Sequence, residues 1–171
     1  VVPTFARPDF LARALRSVQA QTWSRWELLV VDDNPPGSRH RARTREVMEH
    51  FLQDARVTYL EHEANGGGGA ARNSGISKAT GEYVAFLDDD DEWWPEKLER
   101  QLALMRSRDP QPGLVYGGFR KVVAATGLAA DVRPTPGRHG LAQLLERNTI
   151  GTTSLVLCRR EALLEVGGFD E

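Results

Sequence analysis

The 171 residues are 40% hydrophobic and 27% charged, which suits a single domain with a substantial buried core. With 22 Lys and Arg against 24 Asp and Glu the net charge is −2, and the signs are interspersed, so nothing favours nucleic acid. One cysteine, Cys158, excludes an internal disulfide and fits a reducing compartment; no apolar run nears the roughly 18 residues of a membrane span, and no signal peptide is visible. The chain opens on Val1 inside a strand-like run and stops at Asp170-Glu171, which reads as a piece of a longer protein.

Val1 to Phe5 reads as the end of a first strand, with Pro3 where ladder pairing stops. Asp9 is placed to cap a helix that carries Phe10, Leu11, Ala14, Leu15 and Val18 on one face. Trp26–Val31 forms a second buried strand ending in Asp32-Asp33, before Pro35–Ser38 breaks the chain. The basic run Arg39–Arg45 opens a helix to Gln53 with Val47, Phe51 and Leu52 inward and its charges on a solvated face. Arg56–Glu61 is a third strand. A glycine run, Gly66–Gly69, then leads into a helix over Ala70–Ala79.

Tyr83–Leu87 is an apolar, β-prone run too short for a helix, and it ends in Asp88-Asp89-Asp90-Asp91. Pro95 sits in the first turn of a helix to Arg106, with Leu98, Leu102 and Met105 at helical spacing. Gly113–Val123 supplies one strand or a bent pair, and Ala124–Gly140 a mobile surface loop. Leu141–Glu146 is a short helix, Ser154–Cys158 a strand, and Arg160–Val166 a last helix before Gly167-Gly168. Strands alternating with helices predict an α/β sandwich with a mainly parallel sheet.

In such sheets ligands bind beyond the carboxyl ends of the strands, where Pro3-Thr4-Phe5, Asp32-Asp33 and Asp88–Asp91 should share one edge. Adjacent carboxylates repel, and a hard divalent cation such as Mg²⁺ relieves that repulsion through oxygen ligands. An extended chain puts Asp88 and Asp90 on one face and Asp89 on the other, so Asp90, with help from Asp88, is the candidate metal ligand. Asp33 offers acceptors to a base or ribose, Phe5 a stacking face, and the glycine run backbone N–H groups for phosphate, with Arg72 one turn on. Singly, each has a plainer reading: an acidic turn, a helix cap, a flexible loop, a surface arginine.

Together these residues resemble the family 2 glycosyltransferases of GT-A fold, over nearly the whole chain. The likeness is carried by Val1–Phe5 with Arg7; by Trp26-Glu27 through Asp33; and by Asn65-Gly66 with Ala71-Arg72-Asn73-Ser74-Gly75. It continues in Gly81 through Asp91, Pro95 and Lys97-Leu98, and ends in Gly167-Gly168-Phe169-Asp170-Glu171. The resemblance implies a Rossmann-like three-layer α/β/α sandwich, with residues 1–171 as one domain truncated at both ends. It implies metal-dependent, inverting transfer of a sugar from a nucleotide-diphosphate donor, a UDP-sugar, to a saccharide or lipid-linked acceptor, as in polysaccharide biosynthesis.

Carried onto this chain, the resemblance gives donor contacts to Pro3, Thr4, Phe5, Arg7, Asp33, Asn65, Gly66, Arg72, Asp88 and Asp89. It gives Mn²⁺ or Mg²⁺ to Asp88 and Asp90, and an acceptor-side catalytic role to Asp170, with the general base of many members lying downstream of Glu171. Asn34-Pro35-Pro36-Gly37 departs from the family's usual Gly-Ser after the aspartate pair. The implied location is cytoplasmic or peripheral at the cytoplasmic membrane face. Two alternatives compete: a non-catalytic nucleotide-sugar-binding module, and a dinucleotide-binding oxidoreductase in which Gly66, Gly68 and Ala71 satisfy G-x-G-x-x-A.

Overall fold

The computed structural model describes residues 1–123, 125–134, 146 and 148–171. Strands β1 (Val2–Thr4), β2 (Leu28–Asp32) and β3 (Val57–Glu61) form a parallel sheet with register Val2 to Val30 and Val30 to Tyr59. A second sheet has the order β4 (Tyr83–Ala85), β8 (Val156–Arg159), β5 (Leu114–Tyr116), with β8 antiparallel to both neighbours. The two sheets are stitched by Val1 N donating to Ala85 O at 2.8 Å and Leu87 N to Val1 O at 3.0 Å, a parallel pattern. The spatial order is therefore β3-β2-β1-β4-β8-β5, with β8 the one strand that runs against the rest.

Strand alternation splits the core between the two faces. Leu28 and Val30 meet helix α1 (Pro8–Gln19) through Leu11, Leu15 and Val18, and helix α2 (Arg39–Phe51) through Met48 and Phe51. On the opposite face Leu29, Val84, Phe86, Val156 and Cys158 pack against Ile76 and Ala79, at the end of helix α3 (Gly67–Lys78). Helix α4 (Lys97–Arg106) places Leu98, Leu102 and Met105 on Val115 and Leu157. Each of these Val, Leu, Ile, Phe and Met side chains, fully buried, contributes about 1.5–3 kcal/mol. The result is the expected three-layer sandwich.

Several boundaries differ from the sequence reading. α1 starts at Pro8, with Arg7 rather than Asp9 in the capping position; Asp9 lies in the first turn, where a negative charge suits the helix dipole. α2 is capped by Ser38, whose Oγ accepts from Arg41 N at 3.1 Å. Its buried face is Arg41, Thr44, Met48 and Phe51, with Val47 partly buried against the same core, while Leu52 is exposed. α4 starts at Lys97, and its first turn is tied to α1 by Gln21, whose Oε1 accepts from Leu98 N at 3.0 Å and whose Nε2 donates to Trp94 O at 2.8 Å.

Gly113–Val123 is the bent pair: β5, then β6 (Phe119–Val122) after Gly117-Gly118. The stretch from Ala124 is not all loop, since β7 (Ala129–Val132) pairs antiparallel with β6. A turn at Thr126-Gly127 closes that hairpin, with Gly127 at φ +68° and Val123 N bonded to Leu128 O at 2.9 Å. The expected helix over Leu141–Glu146 lies outside the described residues except for Glu146. Ser154, expected in a strand, sits in a 3₁₀ turn, Thr153–Leu155, that leads into β8. Helix α5 (Arg160–Glu165) ends at Gly167 and Gly168, both at positive φ. No described helix is long and apolar enough to cross a membrane.

Lys97 is partly buried at the start of α4, its Nζ 3.3 Å from Val156 O and 3.8 Å from the Trp93 ring centroid. Burial lowers its ammonium from 10.5 to about 7. The charged form is thus disfavoured in the fold, and the penalty is full below about 7 and relieved as pH rises towards the unfolded value. Between pH 7 and 9 the unfolded chain holds a proton that the folded chain releases, so stability should rise by up to about 1.4 kcal/mol per pH unit. The wild-type minus Lys97→Met difference in urea midpoint, followed over that range, should show this slope.

Candidate functional site

The carboxyl ends of β1, β2 and β4 converge as expected, and Thr4 is the joint. Its carbonyl accepts from Asp33 N at 2.9 Å, and its hydroxyl donates to Asp89 Oδ2 at 2.8 Å. Pro3 pairs with Val31 just behind, and Phe5 projects half-exposed at the rim. Phe5 N also approaches Asp89 Oδ2, at 3.4 Å. The turn into α1 is held at Ala6, whose φ is +56° and whose N donates to Asn34 Oδ1 at 2.8 Å. Asn34 completes its grip by donating backbone and side-chain N–H to Asp32 Oδ1, at 2.8 and 2.7 Å. The Asn-Pro-Pro-Gly departure therefore has a structural use: Asn34 ties the first two strand ends together.

Asp33 is 3% exposed, and its carboxylate is fully engaged. Oδ1 accepts from Gly66 N and from His62 Nδ1, each at 2.8 Å; Oδ2 accepts from Gly67 N at 2.8 Å and Asn65 Nδ2 at 2.9 Å. These donors fill the roughly four lone-pair positions of a carboxylate. A carboxylate only accepts, so His62 donates from Nδ1, and its Nε2 lies 2.8 Å from Ser74 Oγ. The anion seated at the α3 N-terminus is thus Asp33 itself. Gly66 and Gly67 are committed to it, which removes them as the phosphate cradle expected from sequence. The same bonds weigh against the dinucleotide reading, because the first glycine of G-x-G-x-x-A binds Asp33 and the loop follows β3 rather than β1.

The four aspartates do not continue the strand. β4 ends at Ala85, and Asp91 N bonds to Asp88 O at 3.0 Å in a turn, so the two-residue alternation expected for Asp88, Asp89 and Asp90 is broken. Asp88 receives Arg72 Nη2 at 2.5 Å and Thr153 Oγ1 at 3.1 Å, and its N donates to Ser154 Oγ at 3.0 Å. Asp89 is 2% exposed and meets Arg7 Nη2 at 3.1 Å, while Arg7 Nη1 binds Asp90. Burial raises the Asp89 carboxyl above the usual carboxylate range against the opposing pull of Thr4 and Arg7; burial likewise raises Asp91. Among the described residues, no three acidic, His or Cys side chains converge to hold a metal ion by themselves. A turn offering Asp88 and Asp90 suits instead a cation shared with substrate oxygens, which needs one or two protein carboxylates.

The C-terminal segment Phe169–Glu171 is pinned to α3. Asn73 Oδ1 accepts from Phe169 N, and its Nδ2 donates to Phe169 O and to Glu171 Oε1, all at 2.8 Å. The Phe169 ring sits edge-on to Phe86 at 5.2 Å, with the Arg72 guanidinium 5.6 Å away. Asp170 has an exposed side chain, and its carbonyl lies so close to Gly69 that a Cβ there would stand 2.4 Å from it. Gly69→Ala gains about 1 kcal/mol of helix propensity, yet it has to push this segment away. Faster amide exchange at Phe169 is the expected outcome, read by hydrogen–deuterium exchange; unchanged protection would contradict it.

Arg41, assigned from sequence to a solvated face, is instead 2% exposed. Its Nε lies 3.1 Å from Asp32 Oδ2, Nη1 lies 3.2 Å from Glu61, and Nη2 donates to the carbonyls of Asp32, Asn34 and His62. Tyr59 donates its hydroxyl to Asp32 Oδ2 at 2.5 Å, and burial raises that phenol. Nothing in the sequence signals His62, Thr153 and Ser154, each a polar residue inside an otherwise ordinary segment, and it marks Asn73 and Ser74 only as part of the family-like stretch, without these contacts. Of the two tryptophans after the aspartates, Trp93 donates Nε1 to Ser154 O at 2.9 Å, and Trp94 is 62% exposed.

The glycosyl transferase family 2 model matches residues 1–167. WfgD of Escherichia coli, named a UDP-Glc:alpha-D-GlcNAc-diphosphoundecaprenol beta-1,3-glucosyltransferase, is 30% identical over 159 residues, 93% of this chain and 59% of that protein. S. aureus TarS 1-349 solved with UDP-GlcNAc superposes with a TM-score of 0.76 at 21% identity, over 99% of this chain and 47% of that one. The Pyrobaculum calidifontis mannosyltransferase PcManGT, solved with GDP-Man and Mn²⁺, gives a TM-score of 0.68 at 22% identity, over 99% and 46%. Against these three the chain spans about half to three-fifths of their length. A family match over almost every residue, on a sheet whose three strand ends meet at Thr4, leads to one conclusion: the chain belongs to glycosyl transferase family 2.

Proposed function

We propose that the carboxyl edge of β1, β2 and β4 binds the nucleotide diphosphate of a sugar donor, and that the complete protein transfers that sugar to a saccharide or lipid-linked acceptor with inversion. The observation that carries this reading is the joint at Thr4, which puts the base-side strand end of Asp33 and the aspartate turn within one residue of each other. Phe5 and Pro3 form the wall of the base pocket. Asp33 supports that pocket by fixing Asn65 and Gly66, since its own acceptors are filled. Asp89, held by Thr4 and Arg7, faces the ribose and sugar, and Arg72 stands by the diphosphate.

A divalent cation fits at Asp88 and Asp90, completed by donor oxygens, and PcManGT solved with GDP-Man and Mn²⁺ supports the choice of ion. When bound, it would supply charge neutralisation for the departing diphosphate. The chain's own part is to hold that diphosphate in line: Arg72 bridges Asp88 and Thr153, and Asn73 in the next helical position holds the acceptor-side segment with Asp170. WfgD's named UDP-Glc donor and diphosphoundecaprenol-linked acceptor, and the UDP-GlcNAc in the TarS structure, support a uridine donor and a lipid-linked or polymeric acceptor. The location we assign is the cytoplasm, against the inner face of the membrane where such acceptors are reached. Calorimetric titration with UDP and with GDP, each with and without Mn²⁺, tests the reading. UDP binding that needs Mn²⁺ and exceeds GDP binding is expected; binding of neither would contradict it.

A further inference from the structure

Two guanidinium groups hold the aspartate turn. Arg7 spans Asp89, at 3.1 Å, and Asp90, while Arg72 takes Asp88 at 2.5 Å. Neither arginine is committed to the core: the Arg7 side chain is 48% exposed and that of Arg72 is part-buried at 17%. Among the described residues the buried Asp89 Oδ1 has no hydrogen-bond partner and leans only on the ion pair with Arg7. Among the described residues the Nε of Arg72 is also buried without a hydrogen-bond partner, so Arg72 does not reach its full hydrogen bonding in this arrangement.

We propose that Arg7 and Arg72 are resident counter-ions of the turn, displaced together by cation and donor, and that the freed guanidinium groups turn to the donor's diphosphate. The proposal rests on the metal-assisted donor site described above and adds how its occupancy is coupled. A cation arriving alone must compete with two positive groups already seated on its ligands. A diphosphate arriving alone meets three carboxylates that two arginines neutralise only in part. Arriving together, each removes the obstacle to the other: the cation takes Asp88 and Asp90, and the guanidinium groups gain phosphate oxygens, for which their planar fork is suited. Cation and nucleotide therefore bind cooperatively, and each raises the affinity of the other by the same factor.

The test separates a counter-ion from a brace. Mn²⁺ binding without nucleotide is followed by the free-ion paramagnetic resonance signal, and UDP binding in saturating Mn²⁺ by calorimetry, on wild type, Arg7→Gln and Arg72→Gln. Each substitution should tighten Mn²⁺ alone and weaken UDP in Mn²⁺, by about tenfold each, the size of one charge-assisted hydrogen bond. An arginine that merely braces the turn would weaken both when removed, and that result, or no change in either, overturns the proposal. Arg7 is half-exposed, so its variant tests the idea even where Arg72→Gln unfolds the α3 contact. Wild type binding UDP with Mn²⁺ while both variants match it would sink this inference alone. Wild type binding no Mn²⁺ in UDP would sink the metal assignment itself, and the inference with it.

Discussion

Arg41→Ala is expected to lower stability by about 3–5 kcal/mol, the range for removing one partner of a buried ion pair. The total for a domain of this size is about 5–15 kcal/mol, so the variant should be unfolded or nearly so at 37 °C. The cost comes from what is left behind. Asp32 is fully buried and loses its cationic partner, and the carbonyls of Asp32, Asn34 and His62 lose a shared donor. Arg41→Lys should recover little, because one ammonium on a flexible stem cannot span a carboxylate and three carbonyls as the planar fork does. Urea denaturation of both variants measures this; a loss below about 1 kcal/mol for Arg41→Ala would mean that water replaces the arginine in place.

Asp33→Ala should cost about 3 kcal/mol and also abolish UDP binding, since it takes the shared charged acceptor from several donors at once. The N–H groups of Gly66 and Gly67 and the amide of Asn65 all point into its carboxylate. Without it the first turn of α3 loses its anion, and Arg72 and Asn73, one turn further along, lose their fixed position. The effect is therefore broader than a lost base contact. Asp33→Asn separates the two: it keeps the shape and part of the hydrogen bonding but removes the charge. If Asp33→Ala binds UDP with reduced affinity while its denaturation midpoint is unchanged, Asp33 acts on the base directly and the loop is held by other groups.

The sheet was legible because its strands are short apolar runs with a chemical residue at each carboxyl end. Asp32-Asp33 after Val30-Val31, and Asp88 after Phe86-Leu87, mark both the strand and the edge. The helices were legible by spacing, except where polar groups took core positions. Arg41 looked solvated because its neighbours are charged; only the tertiary meeting of β2, β3 and α2 brings Asp32 and Glu61 to it. The glycine loop misled for a related reason: free N–H groups at a helix N-terminus suggest phosphate, but sequence cannot show that Asp33 reaches them first. Alternation failed at Asp88–Asp91 because the chain turns as soon as strand pairing ends at Ala85. Thr153 and Ser154 carried no signal, since a hydroxyl next to a strand serves solvent as readily as Asp88.

The proposed meeting of cation and donor at the aspartate turn is tested most directly by Asp90→Ala. Among the described residues Asp90 is bound by Arg7 alone, whereas Asp89 also anchors Thr4 and Asp88 also anchors Thr153, so removing Asp90 disturbs the fold least. UDP is titrated into wild type and Asp90→Ala by calorimetry, with Mn²⁺ and with chelator. Wild type should bind only with Mn²⁺, and Asp90→Ala should lose that metal-assisted binding while keeping its denaturation midpoint. Equal UDP binding by the two proteins in Mn²⁺ would contradict the account.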